Sequence, residues 1–164
     1  MIVVTAAQPS DAEVIVTLAE EMDRFYGAPP TEPREVRLRQ IREALFTGHP
    51  SAHAMLAWDG NDLVGFAAYS FLWPAAGLTR SLFLKELYVA EAARRSGVGR
   101  QLMQALFEIA VKQDCSRVEW QTETDNVDAR GFYAELGVSE HEGKVFYRLE
   151  GEHLQRAASG SKRE

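Results

Sequence analysis

Apolar positions along the chain change period several times, and each period predicts an element. Residues 2–6 are mostly β-branched but alternate poorly, as an edge or buried strand does. Val14, Leu18, Met22 and Phe25 then recur at spacings of four and three, the stripe of an amphipathic helix. Ser10 with Glu13 three residues on predicts a capping box at its start, and Gly27 with Pro29-Pro30 predicts its end. A second helix is expected over 31–46, turning Val36, Leu38, Ile41 and Leu45 inward and Arg34, Arg37, Arg39 and Arg42 to solvent.

Strand patterns follow over 52–58, 63–72 and 81–89. The first two are joined by the hairpin turn Asp59-Gly60-Asn61-Asp62, the next two by the loop at Trp73-Pro74. A helix is expected over 97–112 with Val98, Leu102, Leu106 and Ile109 on one face. A strand over 117–122, a short helix over 128–136 stopped by Gly137, and a strand over 144–149 complete the pattern. The order β-α-α-β-β-β-α-β-α-β predicts one α/β domain over 1–150, with a mixed, mainly antiparallel sheet flanked by helices. Residues 151–164 are expected as a frayed tail.

Composition narrows the setting. The 164 residues are 46% apolar, enough for one sizeable core, and 24 acidic against 18 basic side chains give a net charge of −6. An acidic chain without a basic groove argues against nucleic acid as a partner. The single cysteine, Cys115, leaves no internal disulfide and fits a reducing compartment; it reads as a small rim or core residue at a helix end. No window of 18 apolar residues exists and no signal peptide is visible, so a cytoplasmic protein without membrane contact is expected. His49, His53, His141 and His153 lack metal-ligand spacing, so no metal is expected.

The chemically informative run is Glu86-Leu87-Tyr88-Val89, then Arg94-Arg95-Ser96-Gly97-Val98-Gly99-Arg100, then a helix. Glycines at a helix start let an anion approach the free first-turn N–H groups and the positive end of the dipole. Arg94, Arg95 and Arg100 add charge suited to phosphates. A P-loop is excluded, because no Gly-Lys-Ser/Thr follows. A dinucleotide fingerprint is weak: Leu102 stands where the third glycine belongs, and seven residues separate Val89 from Gly97, although Glu119 lies near the distance of a ribose-binding acid. An R/Q-x-x-G-x-G/A loop for coenzyme A is matched at every defined position by residues 94–99.

With this loop, the strand ending Glu86-Leu87-Tyr88-Val89 and the run from Asn126 to Val138, the chain resembles the GCN5-related N-acetyltransferase (GNAT) family. The run matches its N-x-x-A-x-x-F-Y-x-x-x-G-F signature through Asn126, Ala129, Phe132, Tyr133 and Gly137, with Val138 in place of the usual aromatic. From Val64 to Val89 it looks most like the diamine and thialysine acetyltransferase branch. The resemblance implies a GNAT-type acyl-CoA N-acyltransferase fold and acetyl-CoA as cosubstrate. A bulge would splay the third meander strand, where backbone groups of Leu87 and Val89 would bond the pantetheine and one N–H would polarise the thioester. The amides of 95–100 would hold the pyrophosphate, Asn126 and Ala129 would meet the cofactor arm, and Tyr133 would sit near the sulfur. A homodimer is also implied.

Direct attack by an amine then needs a base, since an alkyl amine of pKa 10.4 is neutral in only about one molecule in 2,500 at pH 7. Glu86 is the first candidate, although a strand-surface carboxylate paired with Lys85 or an arginine is an equal reading. The branch usually carries an acid where Lys85 stands. Tyr133 would protonate the leaving thiolate; its plain alternative is a core aromatic beside Phe132. Asn126 also reads as a helix cap. Phe25 and Tyr26 are candidates for the acceptor site, Trp73 and Trp120 weaker ones, while Glu20, Glu21 and Asp23 read as a solvated face. The implied acceptor is a small primary amine. Alternatives are a protein N-terminus or lysine, or a binding or toxin-type module without turnover.

Overall fold

The computed structural model describes residues 1–160; the last four residues of the expected tail lie outside the described residues. Residues 1–124 form one compact unit, and a second begins at Asp125. In the first unit, β1 (Ile2–Ala6), β2 (His53–Asp59), β3 (Asp62–Leu72), β4 (Arg80–Val89) and β5 (Cys115–Trp120) form a sheet in sequence order. The first four strands pair antiparallel and β5 runs parallel to β4, with α3 (Val98–Lys112) as the crossover. Helices α1 (Ala12–Phe25) and α2 (Arg34–Leu45) lie between β1 and β2 in sequence. Cys115 opens β5, three residues beyond α3, rather than lying at a helix end.

Neighbouring residues of β3 define the two faces of the sheet. Phe66 packs with Ile15 and Leu18 of α1, Ala54 and Leu56 of β2, and Tyr88 of β4. Gly65, next to it, abuts α3: a Cβ there would meet Val98 Cγ1 at 3.0 Å and Leu102 Cδ1 at 3.2 Å. So α1 covers one face and α3 the other. A smaller cluster of Ala12, Val16 and Leu38 joins α1 to α2.

Several expectations are corrected. The stripe of α1 is Ile15, Leu18 and Met22, with Ala12 and Val16 turned to α2; Val14 and Phe25 are exposed. Three consecutive apolar residues, 14 to 16, left the phase open. The cap lies earlier, where the Asp11 carboxylate accepts from the Gln8 N–H at 2.7 Å ahead of a short 3-10 turn, Pro9–Asp11. Of the arginines expected in solvent, Arg37 is half-buried and reaches Asp23 at 2.6 Å, while Arg34 stays exposed and reaches Glu13 at 3.1 Å and Glu20 at 3.4 Å.

The second unit holds α4 (Val127–Glu135) and α5 (Gly151–Ala158). The Asn126 side chain caps α4 by accepting from the Ala129 N–H at 3.1 Å. Gly137, at φ +78°, ends it: its N–H bonds Ala134 O while Val138 N–H bonds Tyr133 O. Residues 144–149, expected as a strand, pair with no strand among the described residues, so no ladder fixes them as one. Residues 151–158, expected within a frayed tail, form an exposed helix instead.

Candidate active site

The decisive local feature is a one-residue bulge in β4. Ala68 pairs with Glu86 and the adjacent Tyr69 pairs with Leu84, which leaves Lys85 without a partner on β3. Pairing of β4 with β5 stops at the same point, at Leu84 opposite Trp120. Beyond it β4 continues to Val89 with β3 as its one strand neighbour among the described residues.

The direction of the backbone there follows from one hydrogen bond. Ala90 N–H donates to Val64 O at 2.9 Å, so Val89 and Gly65 are a pair that exchanges no hydrogen bonds. Counting back along the ladder, Leu87 opposite Ala67 is another such pair. Leu87 and Val89 therefore direct N–H and C=O away from β3, on the side where β5 has ended. These are groups that an extended chain of amides can use as a strand partner.

The loop after β4 leaves backbone donors free at the start of α3. Gly97 takes φ +86° at the N-cap of α3, and Arg95 takes φ +61°, a left-handed conformation costing roughly 1–2 kcal/mol for a side-chain-bearing residue. The first amide used inside the helix is Gln101 N–H, donating to Gly97 O at 3.1 Å. Val98, Gly99 and Arg100 thus present first-turn N–H groups without a helical acceptor. Arg95, Ser96, Gly97 and Arg100 are exposed around them, and the Ser96 hydroxyl braces the turn by donating to Ala93 O. Amide donors, dipole and two free-standing guanidinium groups fit a pyrophosphate.

Arg94 departs from its expected phosphate role. Its guanidinium lies over the Phe25 ring, 3.9 Å from the centroid, and 5.5 Å from that of Tyr88, while Nε donates to Val89 O at 3.1 Å. Tyr88, within the strand expected to meet the coenzyme, turns its side chain inward: it is 2% exposed and its hydroxyl donates to Glu21 Oε1 at 2.9 Å. Burial, then that hydrogen bond and charge, push its pKa up to about 12.

Phe25, Tyr26 and Glu86, the expected acceptor residues, come together. Phe25 and Tyr26 meet edge to face at 5.2 Å and both flank Tyr88, at 6.2 and 6.5 Å. Glu86 is half-buried, and burial raises its carboxyl above the usual range; the Asp23 charge adds to this, while the Lys85 ammonium and the Leu87 N–H oppose it. Tyr26 is raised by burial and by the Glu86 charge, with Arg94 opposing. A carboxylate of raised pKa beside aromatic rings is suited to taking a proton from an ammonium.

Sequence reasoning missed Glu21, which accepts from both Tyr88 OH and Glu91 N–H, the latter at 3.1 Å. The signal was its spacing: it lies three after Leu18 and four before Phe25, a polar residue in an apolar stripe. Glu20 and Asp23, taken as solvated, are instead bound by the α2 arginines. Trp73 is exposed, its Nε1 donating to Leu78 O at 2.9 Å, and Trp120 packs near Phe107 of α3. In the second unit, Tyr133 is half-buried with its ring 5.2 Å from that of Phe132, and Asn126 and Ala129 are engaged in the cap of α4. Among the described residues no group of three His, Cys, Asp or Glu side chains is arranged for a metal, and no helix is long and apolar enough to cross a membrane.

Comparison with known proteins agrees with this geometry. The sequence model of the acetyltransferase (GNAT) family matches residues 16–138. Aminoglycoside N(6′)-acetyltransferase type 1 of Serratia marcescens is 33% identical over 123 residues, covering 73% of this chain and 83% of that protein. Thialysine N-epsilon-acetyltransferase of Mus musculus is 26% identical over 167 residues, covering 93% and 94%. The solved structure of an integron cassette protein from the mobile metagenome of V. cholerae superposes with a TM-score of 0.87 at 28% identity, over 96% of this chain and 97% of that one. With a strand opened beside its partner, a turn with free first-turn amides after it and the family pattern across most of its length, the chain belongs to the GNAT acetyltransferase family and is an acetyl-CoA-dependent N-acetyltransferase.

Proposed function

We propose that the enzyme moves an acetyl group from acetyl-CoA to the primary amine of a small molecule, a polyamine, an amino-acid-like amine or a similar one, by direct attack. The observation that carries this is Glu86, a half-buried carboxylate of raised pKa beside the Phe25–Tyr26 aromatics, on a stretch of β4 that lies past the end of its pairing with β5. The small-amine class is supported by the relatives, named for aminoglycoside, thialysine and, in Arabidopsis thaliana, ornithine acetylation.

Bound acetyl-CoA supplies the thioester that is attacked. Leu87 and Val89 bond the pantetheine amides, and an outward N–H of this stretch polarises the thioester carbonyl as charge develops on its oxygen. The amides of Val98, Gly99 and Arg100, with Arg95 and Arg100 side chains, hold the pyrophosphate. Glu86 takes the ammonium proton, directly or through one water, so that the amine attacks neutral. Tyr133, carried over from the family signature, gives its proton to the departing thiolate, and Asn126 and Ala129 belong to the cofactor arm. Because a thiol of pKa about 8.5 already leaves tolerably, Tyr133→Phe slows turnover without abolishing it.

We take the working form to be a cytoplasmic homodimer, with β1 and β5 as the sheet edges that invite cover; size-exclusion chromatography with light scattering tests this. The functional test is release of free thiol from acetyl-CoA against polyamines, lysine analogues, amino acids, aminoglycosides and short peptides. Turnover with one small-amine class, lost in Gly97→Asp and weakened in Tyr133→Phe, is the expected result. Turnover confined to peptides would move the acceptor to protein, and coenzyme binding without thiol release from any acceptor would leave a binding module.

A further inference from the structure

The loop that cradles the anion and the wall that meets the acceptor are joined by one side chain. Arg94 is the first residue of the coenzyme loop pattern, yet its guanidinium does not point into the N–H fan of α3. It stacks 3.9 Å from the centroid of Phe25, the last residue of α1, and is pinned from behind by Val89 O. Arg95, the next residue, is the strained one at φ +61°, and Ser96 and Gly97 follow directly. A second tie runs alongside: Glu21 of α1 accepts from Glu91 N–H in the first half of the loop and from Tyr88 OH on β4. The first half of the loop is therefore fastened to α1, and the second half, from Arg95 to Gly97, is exposed.

We propose that Arg94 is a positioning residue that couples the two sites, so that coenzyme bound in the loop orders the Phe25–Tyr26 acceptor wall. This rests on the reading of both sites given under Proposed function. An anion drawn onto Val98, Gly99 and Arg100 fixes the backbone from 95 to 100 and removes the freedom of the residue before it. A guanidinium fixed over an exposed ring then holds the end of α1. Because such coupling is reciprocal, an occupied acceptor wall tightens coenzyme binding by the same factor. A cation over an aromatic face at a half-exposed site supports a factor of about five.

The test uses coenzyme A and amide hydrogen exchange of the whole chain. The Tyr26, Gly27 and Ala28 amides close the end of α1 through bonds to Met22, Arg24 and Asp23 carbonyls, and report its order. Saturating coenzyme A slows their exchange about fivefold in the wild type. In Arg94→Gln, and separately in Phe25→Leu, that protection falls below about twofold at saturation, and the double variant loses no more than either single one. Absence of protection in the wild type overturns the proposal, as does full protection in Arg94→Gln at saturation. A tenfold rise in the coenzyme Kd of Arg94→Gln with protection retained would make Arg94 a phosphate ligand instead. The titration that precedes the exchange separates the two levels: a wild type that does not bind coenzyme A overturns the proposed function as well.

Discussion

Leu84 and Glu86 stand two residues apart on β4 and face opposite sides of the sheet, because Lys85 between them has no partner on β3. In a regular strand residues i and i+2 share a face, so the bulge inverts the alternation from Glu86 onward. It brings Glu86 and Tyr88 to the α1 side, and it coincides with the end of pairing to β5. One inserted residue thereby sets both the orientation of the candidate base and the opening of the strand.

Deletion of Lys85 tests this directly. The ladder would become regular while Leu84 kept Tyr69 and Glu86 kept Ala68, so every side chain would retain its face. The variant is expected to fold, with a near-native circular dichroism spectrum. Transfer should fall about 10²-fold, the scale of losing a preorganised carbonyl donor, because β4 no longer diverges. Wild-type turnover in the deletion would show that the bulge is dispensable.

Glu86→Gln should lower the rate by about 10²-fold at pH 7 and remove the acid limb of the pH–rate profile. Stability moves the other way. The native pKa of Glu86 is raised above its unfolded value, chiefly by burial. Its protonated form therefore favours the fold below the unfolded pKa, and that stability is lost as pH rises through the native pKa. Gln cannot ionise, so Glu86→Gln should melt higher than the wild type at pH 7–8, the gap closing near pH 4. A lower melting temperature at neutral pH would mean that the ionised carboxylate is stabilised where it sits.

How much of this was legible varies with whether the signal is local. The hairpin between β2 and β3 is written in Asp59-Gly60-Asn61-Asp62, and Gly60 takes φ +61° there. The turn proposed to hold the coenzyme is equally local, since Gly97 and the helix after it are contiguous. The role of Arg94 was not legible, because its partners Phe25 and Tyr88 are brought to it by tertiary packing. The partners of Glu21 are hidden for the same reason. The expected strand over 144–149 shows the limit from the other side: alternation states a preference, while a strand exists only where a neighbour supplies its ladder.

Gly97→Ala and Gly97→Asp separate backbone from charge. Space is open around the glycine, with nothing within 4 Å of a Cβ placed there, so alanine meets only the cost of φ +86°. That is roughly 1–2 kcal/mol, a fall in Tm of about 2–8 °C. Aspartate adds a negative charge beside the N–H fan and should weaken coenzyme A by a further factor of about ten, equivalent to ~1.4 kcal/mol. Calorimetric titration of both variants decides; equal Kd values would show that the ligand does not reach this turn.

Gly65 answers to space rather than to backbone freedom. Besides the two α3 side chains, a Cβ there would lie 3.1 Å from the carbonyl oxygen of Tyr88. Val98 and Leu102 are fully buried, 1% and 0% exposed, and the backbone of β4 cannot yield without disturbing the stretch that Leu87 and Val89 belong to. Gly65→Ala should therefore cost about 1–3 kcal/mol as overpacking, and α3 relieves it most readily by lifting its first turn from the sheet. That turn carries the Val98, Gly99 and Arg100 amides, so coenzyme A should weaken together with the fall in Tm. Val98→Ala removes the nearest contact, and adding it to Gly65→Ala should cost less than Val98→Ala alone. Strict additivity of the two substitutions, or an unchanged Tm in Gly65→Ala, would show that the gap between β3 and α3 has slack and that the glycine does not set the height of the coenzyme cradle.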